Sequence, residues 1–142
     1  YMDLRPFHLA IPVEDIKIAK DFYGLKLGFS EGRSDEHWVD FNFFGHQLVC
    51  HIGDSNTFSN EVDGKDVPIP HFGIVLEWDH FDIFAKKIKL NGIKFIIEPY
   101  LRFKGLPGEQ KTMFFTDPFG NALEFKSFKN DTEIFNKAPI VS

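Results

Sequence analysis

The chain has 142 residues, 43% of them hydrophobic, enough for one domain with its own core. Its net charge of -5 and the lack of any basic run argue against a nucleic-acid partner, since nothing is placed to neutralise phosphates. No stretch approaches the roughly 20 apolar residues that span a bilayer, and the lone Cys50 fits a reducing compartment, so a cytoplasmic protein with no membrane partner is expected.

Phe7-His8-Leu9-Ala10-Ile11 is a short β-prone run with a histidine near its start and a small residue two positions later. Side chains alternate along a strand, so His8 and Ala10 share one face and Leu9 and Ile11 the other. Asp15 is placed to cap a helix whose Ile16, Ala19, Phe22 and Tyr23 recur at helical spacing. Gly24 or Gly28 would end it. Strands follow over residues 29–33 and 37–43, then a turn at Phe44-Gly45-His46 leads into a strand over 47–52. Residues 53–70, rich in Asp, Asn, Ser and Gly with two prolines, read as a connecting loop.

The order then repeats. Pro70-His71-Phe72-Gly73-Ile74-Val75 opens a strand reaching Trp78, again with a histidine and a small residue on one face. Asp79 or Asp82 is the expected cap of a helix carrying Phe81, Phe84, Ala85 and Ile88, which Asn91-Gly92 ends. Residues 93–98 form a strand and 99–109 a loop holding Arg102 and Lys104. A strand over 111–116, a tight turn at Asp117-Pro118-Phe119-Gly120 and a last strand over 121–128 complete the second set. An internal repeat accounts for this order. It predicts an α+β fold, with two paired βαβββ modules forming a curved mixed-sheet cup and helices outside. The modules span about 6–52 and 71–128, joined by a linker over 53–70 and followed by a polar tail over 129–142, all within one domain.

A histidine beside a missing side chain is the pattern of a strand face that lines a cavity. If His8 and His71 look into the cup, alternation adds Gln47, Val49 and His51 from one closing strand, and Ala122, Glu124 and Lys126 from the other. Three imidazoles and a carboxylate (His8, His51, His71 and Glu124) then make a divalent-metal site. Two His and one carboxylate with open positions suit non-haem Fe(II), and the same donors take Mn, Ni, Co or Zn. His37, His46 and His80 fall at turns or strand edges and read as surface residues. Cys50 falls on the helix side and reads as inert packing.

The stretch from Phe7 to Val13 with the following Phe22-Tyr23-Gly24, and Phe115-Thr116-Asp117-Pro118-Phe119-Gly120-Asn121-Ala122-Leu123-Glu124, resemble the vicinal-oxygen-chelate superfamily. That superfamily includes glyoxalase I, bleomycin- and fosfomycin-resistance proteins and extradiol dioxygenases. The resemblance covers residues 6–128 and implies paired modules around a metal, a small-molecule substrate and a homodimer. His8, His71 and Glu124 match the core ligand positions, and His51 lies where glyoxalase I-like members carry a further ligand. Departures also show. No arginine sits on the cavity face of the first strand, where glyoxalase I binds glutathione. Phe114 stands where extradiol dioxygenases use a tyrosine, and only Arg102 and Lys104 are available as loop cations for a phosphonate.

The expected function is a divalent-metal-dependent lyase or isomerase of glyoxalase type, with vicinal substrate oxygens on the metal. Glu124 or His51 would move protons, Arg102 would clamp an anionic group, and Phe114 and Trp38 would supply an apolar wall. The alternatives are an Fe(II)-dependent extradiol-type dioxygenase and a non-catalytic protein that binds or sequesters an aromatic ligand.

Overall fold

A computed structural model describes residues 4–54 and 58–137. The fold is α+β and built from two compact units. Among the described residues, one comprises 4–54 and 58 with 117–121, the other 59–116 with 122–137.

In the first unit, β1 (His8–Val13) leads through a helical segment to β2 (Ser30–Ser34), β3 (Trp38–Phe43) and β4 (His46–Ile52). The sheet order is β1-β4-β3-β2, with β1 parallel to β4 and the other pairs antiparallel. The alternation expected of β1 is present: His8 and Ala10 are exposed, Ile11 and Val13 buried. Asp15 caps as expected, its carboxylate accepting from the Ile18 N–H at 2.9 Å. The helix is not uniform, however. α1 (Ile16–Ala19) passes into wider π-type turns over Lys20–Lys26, closed by the Leu27 N–H on the Phe22 carbonyl at 2.9 Å. A π turn brings residues five apart into line, which sets both Phe22 and Leu27 into the core. Gly28, at φ 80°, then reverses the chain. The expected hairpin turn is made by Phe44 (φ 54°) and Gly45 (φ 85°) alone, His46 already opening β4. His46 differs from the surface role expected of it: its Nδ1 accepts the Phe7 N–H at 2.8 Å and fastens the entry to β1.

The turn at Asp117–Asn121 belongs to this unit. Tyr23 is fully buried and its hydroxyl donates to Asp117 Oδ2 at 2.7 Å. Burial first, and then the Asp117 charge, pushes that phenol well above its usual value. Asp117 Oδ1 accepts the Phe119 and Asn121 N–H groups at 2.9 and 2.8 Å, and Asn121 Nδ2 donates to both Asp117 Oδ2 and the Pro12 carbonyl. A buried carboxylate is tolerated here because every lone pair finds a donor.

The second unit repeats the order. β7 (His71–Phe72), α2 (Trp78–Leu90), β8 (Phe95–Arg102), β9 (Gln110–Thr116) and β10 (Ala122–Phe128) form a sheet ordered β7-β10-β9-β8, with β7 parallel to β10. α2 covers one face through Phe84 on Phe125, ring centroids 4.5 Å apart. Leu123 and Phe125 are fully buried, as their helix-side parity requires.

Four local expectations change. The segment read as a connecting loop carries a hairpin, β5 (Phe58–Val62) and β6 (Lys65–Ile69), turned by Asp63 (φ 53°) and Gly64 (φ 73°). The strand expected to reach Trp78 pairs only at His71–Phe72 and again at Val75 opposite Lys126. α2 has Glu77 as its N-cap, with no side-chain hydrogen bond there, so neither Asp79 nor Asp82 fills that role. Finally, β8 runs through Pro99 to Arg102, because an edge strand spares a proline the ladder bond that it cannot make. No helix among the described residues is long and apolar enough to cross a membrane.

Candidate functional site

His71 and Glu124 meet in the second unit. β7 runs parallel to β10 with His71 opposite Ala122, so Glu124, two residues on, projects from the same face. His71 Nε2 lies 3.1 Å from Glu124 Oε1, and His71 Nδ1 donates to the Pro68 carbonyl at 2.7 Å. Both ring nitrogens thus face acceptors. The bond to Glu124 first, against the opposing effect of burial, raises the His71 pKa. Burial would raise the Glu124 carboxyl, yet the bonds from His71 and Thr112 outweigh it and hold the group low. The Thr112 hydroxyl makes a short donor bond to Glu124 Oε2. Phe114 packs edge-on against His71 at 5.1 Å between ring centroids.

Gly73 has a different reason from the one its sequence position suggested. A Cβ there would stand 1.5 Å from the Glu124 carbonyl oxygen. The missing side chain lets two backbones approach; it does not open a cavity.

Further along this face, cross-strand pairing aligns Tyr100 with Thr112 and Lys126, and Arg102 with Gln110 and Phe128. Arg102 ends β8 rather than lying in a loop. Its guanidinium contacts the Asp63 carboxylate of the hairpin turn, Nε to Oδ2 at 2.5 Å. The hairpin packs on the sheet through Val67 against Ile97 and Phe114, with Val62 and Tyr100 beside them.

The first unit fixes its own histidine in the same way. His8 Nδ1 lies 2.8 Å from Gln47 Oε1, and Gln47 Nε2 donates to Asp40 Oδ2 at 3.1 Å. Because the amide spends its N–H on Asp40, it offers His8 an acceptor, which places the imidazole proton on Nδ1 and leaves Nε2 with its lone pair. His51 is exposed, paired across the strands with Trp38 and beside Pro12, and its side chain makes no hydrogen bond or ion pair with a described residue. His80 stays at the surface with Glu77, and His37 is exposed. Cys50 is fully buried and its thiol is pushed up to about 12, mainly by burial, so it is no nucleophile.

Among the described residues, no three or more His, Cys, Asp or Glu side chains are grouped so as to hold a metal ion. The candidate donors stand as two sets, His8 and His51 in one unit and His71 and Glu124 in the other. The donor chemistry fits a divalent ion. A metal-binding imidazole ordinarily gives its other N–H to a carbonyl or side-chain oxygen, and both His8 and His71 have that partner in place. Sequence reasoning had placed Gln47 on the right face but missed Thr112, the Pro68 carbonyl and Asp63. The first carries an alternation signal and the last a turn signal; a carbonyl carries none.

The chain matches the family model described as the Glyoxalase/Bleomycin resistance protein/Dioxygenase superfamily over residues 5–125. It is similar to a glyoxalase/bleomycin resistance protein/dioxygenase from Alicyclobacillus acidocaldarius, with 40% identity, TM-score 0.78, and coverage of 92% of this chain and 96% of that one. The fosfomycin resistance protein FosX from Listeria monocytogenes shares the fold at 17% identity and TM-score 0.67, covering 94% and 99%. A glyoxalase/dioxygenase from Nostoc punctiforme does so at 19% and 0.65, covering 89% and 92%. No curated protein matches. With the family model spanning most of its length and a relative of known structure at 40% identity, the chain belongs to the glyoxalase/bleomycin resistance protein/dioxygenase superfamily.

Proposed function

We propose that the chain is a divalent-metal-dependent enzyme of glyoxalase-like lyase or isomerase type, acting on a small substrate with two neighbouring oxygens. The observation that carries this reading is the pinning of His8 and His71 through Nδ1, which turns the other ring nitrogen, Nε2, toward the proposed site, in His71 beside Glu124 Oε1 at 3.1 Å. The proposed ligands are His71 and Glu124 of the second unit and His8 and His51 of the first, and Fe, Mn, Ni, Co and Zn all suit such donors. When bound, the ion would supply Lewis acidity toward the substrate oxygens. The chain's own residues do the rest. Thr112 orients Glu124 through Oε2, leaving Oε1 for a ligand or a proton. Glu124 would carry the proton where His51 is a ligand; where His51 is not one, its imidazole, whose side chain makes no hydrogen bond to a described residue, would serve as the base toward bound substrate. Phe114 would supply an apolar wall beside His71, and Trp38 one opposite His51.

A homodimer belongs to the same proposal, because each sheet ends on strands with an unpaired edge that a second copy suits. So does a cytoplasmic location, which a lone buried thiol fits.

Metal analysis of protein purified without chelator tests the reading. About one divalent ion per chain is expected, lost in His71→Ala and in Glu124→Gln. Protein that carries no divalent ion and takes none up on dialysis overturns it, and the binding-protein alternative then gains.

A further inference from the structure

We propose that the Tyr100–Arg102 end of β8 is a recognition site for a substrate carboxylate, and that the chain's own Asp63 fills it in the ligand-free protein. This rests on the reading above that the His71–Glu124 face of the second sheet meets the substrate. Asp63 Oδ2 accepts from the Tyr100 hydroxyl at 3.0 Å and lies 2.5 Å from Arg102 Nε. A hydroxyl and a guanidinium converging on one oxygen is the chemistry of carboxylate capture. Two lysines strengthen the positive field. Lys65 Nζ stands 4.3 Å from the centroid of the Tyr100 ring, and Lys126 occupies the same cross-strand row as Tyr100, its Nζ 5.5 Å from the centroid of the Phe128 ring.

The fit of Asp63 is incomplete. The Arg102 side chain is only 20% exposed, yet its buried Nε has no well-aligned hydrogen-bond acceptor, close as Asp63 stands. A buried cationic donor left short of its bond is costly, so a freely orienting carboxylate gains what the tethered one forgoes. Asp63 also sits at the tip of a two-residue hairpin turn and keeps 39% of its side chain exposed, so an incoming acid can reach the contact it occupies.

The register sets the ligand's length. Tyr100 lies one cross-strand row beyond the Glu124 row and Arg102 two, at roughly 7 Å per row. The fitting ligand is an extended organic acid that places its carboxylate roughly 7–13 Å from the end near Glu124.

The chain has only three arginines (Arg5, Arg33 and Arg102), so their Nε–H signals give a simple nitrogen-15 NMR spectrum of the metal-free 142-residue chain. Arg102→Lys assigns the third signal. The probe is 6-hydroxyhexanoate, an extended acid of fitting length, with 6-hydroxyhexanamide and inorganic phosphate as controls at matched ionic strength. The acid is expected to move the Arg102 signal in the native chain, with an apparent Kd about three- to fivefold lower in Asp63→Asn, because the internal competitor is gone. The amide is expected to leave the signal in place. No movement in either protein overturns the proposal, as does an unchanged Kd in Asp63→Asn. Phosphate acting as well as the acid refutes the assignment to carboxylates. No metal is present at any stage, so failure here leaves the metal reading standing, and a protein that binds no metal leaves this result standing.

Discussion

Replacing Thr112 by valine isolates one bond of the proposed metal centre. The side chain is buried at 2% exposure, and valine keeps its shape while removing the hydroxyl that donates to Glu124 Oε2. A hydrogen bond to a charged group contributes about 1.5–3 kcal/mol. Glu124 keeps its contact with His71, so the expected loss is about 1–2 kcal/mol, read by urea unfolding with chelator present. Freed from Thr112, the carboxylate turns more readily and holds protons more tightly, so metal competes less well. Loss of such an orienting partner costs roughly 10- to 100-fold in metal affinity. Cobalt(II) titration followed by visible absorption and calorimetry measures this. A variant with native cobalt affinity refutes the claim that Thr112 prepares Glu124 as a donor. Unchanged stability refutes the bond itself.

The His71–Glu124 pair gives the metal-free protein a pH signature. The depressed Glu124 contributes stability that is present above its unfolded value near 4.5 and lost as pH falls through the folded value, while the raised His71 contributes stability present below 6.5 and lost as pH rises through its folded value. The stability difference between native protein and His71→Ala should therefore be largest between pH 4.5 and 6.5, and a flat difference in urea midpoints across pH 4–8 contradicts the pairing. Gly73→Ala drives a Cβ to 1.5 Å from the Glu124 carbonyl, so a loss of about 3 kcal/mol and of cobalt binding is expected. Native-like melting of that variant would show that the two backbones do not approach so closely. Tyr23→Phe removes one donor from Asp117 and leaves three, so about 1–2 kcal/mol should go in denaturant titration without loss of metal.

Alternation along strands made much of this legible. Parity alone put His8 with Ala10, Gln47 with His51 and Glu124 with Lys126, because one face of each sheet is covered by a helix and the period of two is strict. What escaped is local chemistry overridden by context. Asp63-Gly64 is a strong hairpin-turn dipeptide, but a polar neighbourhood with two prolines made the whole segment look like loop. Pro99 broke the expected strand early, although on an edge it costs no ladder bond. The small residue two positions after His71 was read as open space, whereas its cause is the carbonyl oxygen of Glu124, 124 − 73 = 51 residues later in the sequence, which no local pattern reveals. The π turns at Lys20–Lys26 likewise follow from which side chains must be buried together, a tertiary demand.

The five residues from Asp117 to Asn121 set where the gene can be divided. A fragment stopping at Phe58 would carry Tyr23 and the Pro12 carbonyl into its interior with neither the acid nor the amide that completes them. Expressed alone, such a piece starts with the Tyr23 phenol and the Pro12 carbonyl deprived of the partners they have in the whole chain. Cutting the repeat at its apparent seam therefore removes part of the structure it was meant to isolate, and any ancestral single copy needed another answer for those two groups.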